Sequence, residues 1–517
     1  MPALRGLILL VAILAGAALF LRHPKGEPGS EVGIWYWHSP FVVTDHERDL
    51  LKSAGVSTVY VRAGTFTTDG KRLLLVLPQV WKSKAEGLRI VSVFNFDPGL
   101  LKHFGELPVE VMAGDVSERI VKSLADEKSQ GIEPDGVQLD IDCPTRLLPK
   151  YADFLGRVRK AIGPVGTFSI TALPTWLTSR DIAQVARQVD FIVPQFYEGR
   201  AGRTLQDIKP ISDPAALVAG IRRLNRLGVP YQVGLPAYGH ALLFDDQGRL
   251  VSMYRGLSSE DALRLSALRH VSTVPLDADG HPASEKSYVG EDLMTVEAVK
   301  PDLGGRGKGD RIVYFLPAPE MVSRQLADAR AEAGSFCRGV VLYRFPEPGE
   351  TTALPLESIV AAIRLEPKTV DFGIEMRARS VPYALIGERR ASSVPRELHL
   401  KLTDVGNVAT ETAPDALEAL VEFDRPGIGD VAPGDFDAVQ PGTLEGGRFV
   451  PCGRARATAL LLRRFNVQPG QVLHSGGIEL MQDGPTAVHV QWTAQGMGGF
   501  HAYHGSSPTR KLAELTR

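Results

Sequence analysis

The sequence predicts an α/β fold, a (β/α)8 TIM barrel followed by a smaller antiparallel β-sandwich-like domain. The first observation is a series of eight short β-rich runs that alternate with helix-like segments. Such alternation is typical of a parallel sheet, and a count of eight favours a closed barrel. The second is a change after residue 365 to strict two-residue alternation, which indicates antiparallel strands. The third is the length of 517 residues, more than one hydrophobic core usually organises.

The predicted barrel strands are runs rich in β-branched and aromatic residues. In chain order they are residues 33–38, 58–62, 89–96, 136–142, 168–172, 191–196, 231–235 and 339–343. Helix-like segments separate them, for example residues 148–162, where apolar side chains recur at helical spacing. A doubly wound open sheet is the alternative, but no G-x-G-x-x-G sequence follows the first strand.

The chain divides into a barrel at residues 31–365 and a β-rich C-terminal domain at residues 366–517. Residues 240–310 are long, polar and rich in glycine, and we interpret them as an insertion between the seventh and eighth barrel strands. Insertions at this position belong on the catalytic face of a barrel. In the C-terminal domain, residues 398–403 alternate apolar and polar side chains, whereas residues 424–447, rich in Gly, Pro and Asp, predict a loop.

Residues 1–30 predict a signal peptide or an N-terminal membrane anchor with a linker. Arg5 precedes an apolar run at residues 6–21, and basic residues follow that run. The run is just shorter than the roughly 20 apolar residues that span a bilayer. Both a cleaved signal and a retained transmembrane anchor therefore stay open. In either case we expect an extracytoplasmic protein, periplasmic or secreted.

Composition argues against several classes of partner. The formal net charge is −2 and no long Lys/Arg run is present, which argues against nucleic acid as a partner. The 3 cysteines are widely spaced and form no C-x-x-C pair, so neither a disulfide scaffold nor a structural zinc site is indicated. No organic cofactor is implied. A metal-dependent esterase or deacetylase would need His ligands that the sequence does not place.

The strongest motif is residues 135–142, which read D-G-V-Q-L-D-I-D. Strand alternation directs Gln138, Asp140 and Asp142 into the barrel, with Asp142 nearest the C-terminal rim. The two carboxylates would lie roughly 6–7 Å apart along the strand. Like charges at that distance raise one pKa, so that one group stays protonated while the other is ionised. This suits glycosidic bond cleavage; a structural polar network and a metal-binding carboxylate pair remain alternatives.

This segment resembles the strand-four signature D-G-x-D-x-D-x-E of glycoside hydrolase family 18, the chitinase-like barrels. Asp135, Gly136 and Asp140 match that signature. Three later strands add to the resemblance over roughly residues 32–365, through the sequences S-I-T-A-L-P at 169–174, Q-F-Y at 195–197 and G-L-P-A at 234–237. The whole chain is still more similar to a bacterial family of exported proteins of unassigned activity that carry Q-L-D-I-D-C-P, here residues 138–144.

The resemblance implies a role for each matching residue. Asp140 would orient the substrate's own N-acetyl group, which attacks the anomeric carbon. Asp142 would protonate the leaving group, and Tyr197 would donate a hydrogen bond to the developing charge. Gln195 shares a strand face with Tyr197 and would help to hold the sugar.

Two departures from the family signature bear on activity. Gln138 replaces the middle Asp, which removes a carboxylate that could share a proton with Asp140. Asp142 stands where the family has its acid Glu, with one methylene and about 1.5 Å less reach. A misplacement of about 1 Å can lower a rate 10²-fold. Glu198, just past the sixth strand, is therefore a second candidate for the acid, and a solvated loop carboxylate is its simpler interpretation.

The remaining substrate-binding candidates end a predicted strand or follow one at the rim. They are Gln138, Gln195, Trp176, Tyr36, Asn95 and Glu198. Trp176 and Tyr36 offer aromatic surface on which a sugar ring could stack. Arg62 ends the second strand, and both ligand binding and local capping are open for it.

The sequence therefore favours a glycoside-hydrolase-like protein acting on an extracytoplasmic polysaccharide or oligosaccharide, with Asp140 and Asp142 as its carboxylate pair. The alternative is a non-catalytic glycan-binding or envelope-assembly protein on a decayed hydrolase barrel. The replacements at Gln138 and Asp142 favour this alternative, whereas the inward carboxylates and Tyr197 favour the enzyme. An enzyme needs Asp142 to face an open cleft.

Overall fold

The computed structural model describes residues 29–197, 202–301, 306–380, 397–481 and 483–516, and the backbone alone of residues 383–385 and 388–390. The predicted signal or anchor segment lies outside the described residues, apart from residues 29 and 30. Within the ranges just given, no helix is both long enough and apolar enough to cross a membrane.

The N-terminal half of the described chain alternates parallel strands with helices. Its strands are β1 (Glu31–Tyr36), β2 (Val56–Thr68), β3 (Leu73–Val76), β4 (Arg89–Phe96), β5 (Gly136–Asp140), β6 (Thr167–Ala172), β7 (Phe191–Pro194) and β8 (Tyr231–Pro236). Its helices are α1 (Asp45–Ser53), α2 (Pro98–His103), α3 (Val109–Ser129), α4 (Leu148–Ile162), α5 (Ile182–Ala186) and α6 (Pro214–Leu227). The short strand β3 pairs antiparallel with β2 and lies outside the parallel ring.

Residue chemistry sets the ends of these helices. In α6 the Asp213 side chain accepts the backbone N–H of Ala216, and Pro214 occupies the first turn, where its missing N–H is harmless. The helix ends at Gly228, whose φ of 68° is the left-handed conformation that glycine adopts readily. The helix ends follow from local sequence, and the chain can then turn back into β8.

An antiparallel sheet interrupts the barrel after β8. Its strands are β9 (Ala241–Phe244), β10 (Leu250–Tyr254), β11 (Leu268–Pro275), β12 (Glu291–Ala298) and β13 (Arg311–Pro317), with helix α7 (Ser259–Arg264) between β10 and β11. Among the described residues they pair in the order β10-β9-β13-β12-β11. The predicted insertion is therefore a folded sheet, and β13 carries it past the predicted end at residue 310.

The chain then returns to the barrel through α8 (Pro319–Glu332), β14 (Cys337–Tyr343) and α9 (Leu356–Arg364). β14 pairs in parallel with both β8 and β1, and β1 pairs with β2. In the described part of the chain, β1, β2, β4, β5, β6, β7, β8 and β14 thus form a closed ring of eight parallel strands. This confirms the predicted TIM-barrel architecture and excludes the open sheet.

The C-terminal residues form further antiparallel sheets. Their strands are β15 (Phe372–Arg379), β16 (Tyr383–Leu385), β17 (Glu388–Arg390), β18 (Glu397–Asp404), β19 (Leu417–Phe423), β20 (Ile428–Val431), β21 (Ala438–Glu445), β22 (Arg448–Pro451), β23 (Ala459–Arg464), β24 (Val472–His474), β25 (Ile478–Leu480), β26 (Ala487–Gln495), β27 (Ala502–Ser506) and β28 (Arg510–Lys511). One sheet contains β15 and β18, another contains β19, β23 and β26, and apolar residues of both share one core. Residues 424–447, predicted as a loop, instead contain β20 and β21.

Alternation along the barrel strands separates two cores. On β5, Val137 and Leu139 face outward and pack beneath the helices with the other outward residues of the ring. The inward layer is a separate cluster that includes Trp35, Tyr60 and Val93. The large rings fit there because small residues face them: a Cβ on Gly33 would lie 2.7 Å from the Tyr60 ring. Side chains therefore fill the barrel interior at this level.

Candidate functional site

The neutral side-chain amide of Gln138, on β5, forms the floor of the barrel mouth. Gln138 is fully buried, and its Oε1 accepts a hydrogen bond of 2.8 Å from Trp35 Nε1. Its Nε2 donates to Ser169 Oγ at 3.2 Å across to β6. Protein atoms therefore occupy both ends of the amide. This corrects the sequence-based expectation that Gln138 contacts substrate, because a side chain without exposed surface can only support the layer above it.

Asp140, the last residue of β5, lies directly above this floor. Its Oδ1 accepts hydrogen bonds from Thr171 Oγ1 at 2.6 Å and from Gln195 Nε2 at 3.2 Å. Asn95 pairs with it in register on β4, and the Asn95 Oδ1 accepts from Thr65 Oγ1 at 2.8 Å. Donors from two neighbouring strands thus fix one oxygen of a partly exposed carboxylate. Such donors favour the ionised form of a carboxyl group.

Asp142 follows the end of β5 and is exposed at the rim. The chain turns sharply here, with Cys143 N donating to the Ile141 carbonyl at 2.7 Å. Although its side chain reaches solvent, Asp142 stands in a recess of protein atoms, and partial desolvation raises its pKa above the ordinary aspartate value. The two carboxyl groups of the motif therefore differ in environment: Asp140 is held by donors and Asp142 is open.

Aromatic rings form one wall of the mouth. Tyr197 stacks on Tyr343 with centroids 5.0 Å apart and planes at 15°. Tyr238 meets both rings edge-on at 6.0 and 5.0 Å, and Trp37 meets Tyr343 at 5.8 Å. Trp35 lies beneath, 6.2 Å from Tyr197. The structure thus brings Tyr197 and Gln195, both predicted, to the same mouth as Asp140.

The adjoining wall, from β1, β2 and the segment after β14, is basic. Arg62 ends the inward face of β2, and Arg344 follows β14 and pairs with Glu350 at 2.5 Å. Burial, together with the positive charge of nearby Arg344, lowers the pKa of the His38 imidazole to about 4, so His38 is neutral at pH 7. Positive charge on this wall therefore comes from arginine.

Two predicted aromatic ligands are wrong. Tyr36 is buried on the outer face of β1, where its hydroxyl accepts from Val42 N at 2.9 Å, because the alternation that directs Trp35 inward directs its neighbour outward. Trp176 is fully buried beneath the helices, and its Nε1 donates to the Cys143 carbonyl at 3.0 Å. Neither ring has a face that a sugar could reach. The candidate Glu198 lies outside the described residues.

Sequence reasoning missed four residues of the mouth: Thr171, Tyr238, Tyr343 and Trp37. Thr171 shares the inward face of β6 with Ser169, and Tyr343 shares that of β14 with Val341. Strand alternation at the carboxyl end of each barrel strand would have found them. The informative feature is the face of the strand on which its last residues lie, which is found by counting in steps of two along the strand.

This arrangement can orient a polar group and transfer a proton. Asp140, held by two donors, can accept a hydrogen bond or face a developing positive charge, while partial desolvation raises the pKa of Asp142, which favours its protonated form. No group of three or more His, Cys, Asp or Glu side chains that could hold a metal ion occurs among the described residues.

Comparison with known proteins gives a family match for part of the chain. Residues 104–281, which include β5, β6, β7 and β8, match a family model described as "Domain of unknown function (DUF3142)". The match covers the carboxylate motif, Gln195 and Tyr197, and ends within the insertion. No curated protein matches the chain.

Solved structures similar to this chain include several glycan-active proteins. A spore cortex-lytic enzyme, SleL from Bacillus megaterium, is 13% identical with a TM-score of 0.40, covering 66% of this chain and 75% of that one. A chitinase from Bacillus thuringiensis is 10% identical with a TM-score of 0.42, covering 92% and 100%. A family 18 glycoside hydrolase chitinase from Flavobacterium johnsoniae is 12% identical with a TM-score of 0.38, covering 65% and 94%.

Proposed function

We propose that this protein is a glycoside hydrolase acting on an extracytoplasmic polysaccharide, with Asp140 and Asp142 as its carboxylate pair. The observation that carries the proposal is the contrast between these two groups at the mouth of one barrel. Donors from Thr171 and Gln195 hold Asp140, whereas Asp142 is exposed and has a raised pKa. Glycoside hydrolysis needs one protonated and one ionised carboxyl group beside the scissile bond.

In the proposed reaction, the Asp142 carboxyl group gives its proton to the glycosidic oxygen as the bond from that oxygen to the anomeric carbon breaks. The electron pair of that bond leaves with the oxygen, and positive charge develops at the anomeric carbon. Asp140 orients the group on the sugar that attacks this carbon, and Tyr197 lies beside it. Water then attacks the anomeric carbon, the bond to the sugar's own group breaks and its electron pair returns to that group, and the proton of the water passes to the Asp142 carboxylate, so that the cycle closes.

A specific observation favours a second candidate, a non-catalytic glycan-binding protein. Gln138 occupies the place of a carboxylate in the family signature, and bonds to Trp35 and Ser169 engage both ends of its amide. The side chain beneath Asp140 is therefore a neutral amide, which cannot exchange a proton with it as a carboxyl group would. The partly exposed rings of Tyr238 and Tyr343, backed by the buried Tyr197, would then be the surface that contacts a sugar.

The extracytoplasmic location rests on the sequence of residues 1–30, which has the basic start and short apolar core of an export signal. A polysaccharide of the cell envelope or its surroundings is then the accessible substrate. Mass spectrometry of the N-terminus of the mature protein separates a cleaved signal from a retained anchor.

The test is turnover and binding of a panel of N-acetylated and neutral oligosaccharides by the full chain and by its Asp142→Asn variant. Asparagine keeps the shape of the side chain and cannot donate a carboxyl proton. The expected loss in turnover is roughly 10²- to 10⁴-fold with binding retained, the usual range for removal of a general acid. A matched control is Asp207→Asn, which makes the same change at an exposed position on the surface.

Binding without cleavage by both the parent and the variant would establish the non-catalytic candidate. Cleavage that survives in Asp142→Asn would show that another residue is the acid, with Glu198 the next to be replaced.

A further inference from the structure

The β2 strand places an arginine at the barrel mouth whose charge no carboxylate of the described residues neutralises. Arg62 follows Tyr60 on the inward face of β2, and the register with β4 shifts just after it, between Arg62 and Gly64. Such bulges bend a strand and re-aim a side chain, and they are common beside active sites. Arg62 is partly buried at this point.

The hydrogen bonds of Arg62 fix its position without satisfying its charge. Its Nε donates to the Trp37 carbonyl at 3.0 Å, and its Nη1 reaches Thr65 Oγ1 at the long distance of 3.5 Å. Within the described part of the chain, no carboxylate forms an ion pair with it, whereas Arg344 on the same wall pairs with Glu350 at 2.5 Å. A guanidinium has five N–H donors, so most of its donors stay available to a ligand.

A partly buried, uncompensated cation is costly unless a ligand pairs with it. Burial lowers the pKa of the Arg62 guanidinium, yet arginine stays protonated at any physiological pH. The neighbouring imidazole of His38 is neutral, and the acidic partners of Arg344 offset its charge. Arg62 is therefore the cation on this wall that a ligand would meet.

Arg62 is also connected to the carboxylate pair. Thr65, which Arg62 contacts, donates to Asn95, and Asn95 pairs in register with Asp140. One strand, β4, separates β2 from β5, which corresponds to roughly 10 Å at the usual strand spacing. That separation exceeds the width of one pyranose ring, so a group at Arg62 belongs to the sugar next to the one at Asp140.

We propose that Arg62 binds the carboxylate of an acidic sugar, so that the substrate is an anionic polysaccharide rather than a neutral one. The planar fork of a guanidinium matches a carboxylate in a bidentate pair, which gives geometry as well as charge. The inference rests on the proposed function and names its substrate class: a glycan in which a uronic acid or a lactyl-bearing sugar lies beside the cleaved bond.

The experiment compares acidic saccharides with their own methyl esters, which keep the shape and remove the charge. The probes are an oligogalacturonide, a tetrasaccharide of alternating N-acetylglucosamine and N-acetylmuramic acid, the methyl esters of both, and neutral chitotetraose. Calorimetry measures their binding to the Asp142→Asn protein, in which the proposed acid is removed. The same measurement is made after adding Arg62→Gln, Arg62→Lys or, as a control at the other end of the barrel, Arg89→Gln.

We expect at least one acidic probe to bind roughly 10- to 100-fold more tightly than its ester, the usual value of a hydrogen bond to a charged group. Arg62→Gln should remove that difference between acid and ester, Arg62→Lys should retain part of it, and Arg89→Gln should have no effect. The ester comparison decides the question even if a variant at Arg62 does not fold.

Equal binding of acid and ester, or an unchanged preference in Arg62→Gln, would overturn the assignment of Arg62 and leave the proposed function standing. Failure of every saccharide to bind the Asp142→Asn protein would overturn the proposed function, and the substrate class with it.

Discussion

The neutral floor of the barrel mouth can be tested with the substitution Gln138→Glu. The two side chains have the same shape, so the introduced glutamate could still accept the Trp35 Nε1–H, and Ser169 could turn its hydroxyl to donate to the other oxygen. The change therefore adds a buried carboxyl group without opening a cavity. It also restores an acidic group beneath Asp140, where the chitinase-like signature has one.

The expected loss of stability follows from the burial of Gln138, which has no exposed surface. Desolvation raises the pKa of a fully buried carboxyl group by up to ~3–5 units, and two donors offset part of that shift. A net rise of about 2–3 units from the ordinary glutamate value corresponds to ~3–4 kcal/mol, at 1.36 kcal/mol for each unit. The negative charge of Asp140 above acts in the same direction.

The sign of the pH dependence follows from the raised pKa. The native state would hold its proton at a pH where the unfolded chain has lost it, so stability falls as pH rises through the native pKa. We expect the variant to be ~3–4 kcal/mol less stable than the parent at pH 7 and only about 1 kcal/mol less stable at pH 5.

Denaturant unfolding at pH 5 and pH 7, followed by tryptophan fluorescence, measures both differences. The control is Gln247→Glu, the same change at an exposed turn, which should alter stability by no more than ~0.5 kcal/mol at either pH. Equal losses at pH 5 and pH 7 would show that the charge of the introduced carboxylate is not the cause. No loss at pH 7 would refute the burial of this position.

Three further expectations follow from other contacts. Thr171→Val removes the hydroxyl that donates to Asp140 at 2.6 Å. We expect kcat/KM to fall roughly 10- to 100-fold, the value of a hydrogen bond to a charged group. Unchanged turnover would show that Thr171 does not hold Asp140 for catalysis. Burial raises the pKa of Glu291 to about 7. The folded protein therefore holds a proton that the unfolded chain has lost, and the melting temperature should fall as pH rises from 5 to 8. Glu291→Gln should reduce this dependence of the melting temperature on pH. Leu462→Ala, in the core between the C-terminal sheets, should cost ~2–5 kcal/mol in urea unfolding, and an unchanged midpoint would exclude the shared core.

Alternation along single strands could be predicted from the sequence. The positions of Gln138 and Asp140 on one face of β5, and of Gln195 and Tyr197 on one face after β7, follow from the two-residue period alone. The structure places all four inside the barrel or at its mouth. The alternation of side chains along a strand depends only on neighbouring residues, so a single sequence is enough to assign it.

It is harder to predict which face of a strand points into the barrel than to predict that its side chains alternate. Both faces of a parallel barrel strand are buried, so an apolar pattern does not distinguish inside from outside. On β1 the sequence suggests Tyr36 as the residue at the mouth, whereas the structure directs Trp35 inward and Tyr36 outward. A glycine gives the missing signal, because Gly33 shares the face of Trp35 and leaves room for the Tyr60 ring.

Segments outside the barrel strands depend on contacts that are distant in sequence. Trp176 follows β6 in a short turn, and its burial is set by Tyr151 and the Cys143 carbonyl, neither adjacent to it in the chain. Residues 424–447 are rich in Gly, Pro and Asp, which predicts a loop, yet they contain strands, and the insertion at residues 240–310 also contains strands, paired in an order the sequence does not reveal. The amino-acid composition of a segment indicates its local conformational preference, whereas pairing with distant strands decides whether it becomes a strand.

The enzymatic and the non-catalytic hypotheses differ in what they require of Asp142. A binding site gains nothing from a carboxyl group that resists ionisation, since its hydrogen bonds to sugar hydroxyls are strongest when it is charged. Proton donation needs the opposite, a carboxyl group that is accessible and has a raised pKa, and Asp142 combines both properties. The shorter reach of aspartate then becomes a constraint on the substrate, whose glycosidic oxygen must come close to the end of β5. Arg62, which donates to the Trp37 carbonyl, and the adjoining tyrosine wall are the groups that could draw a glycan to that depth.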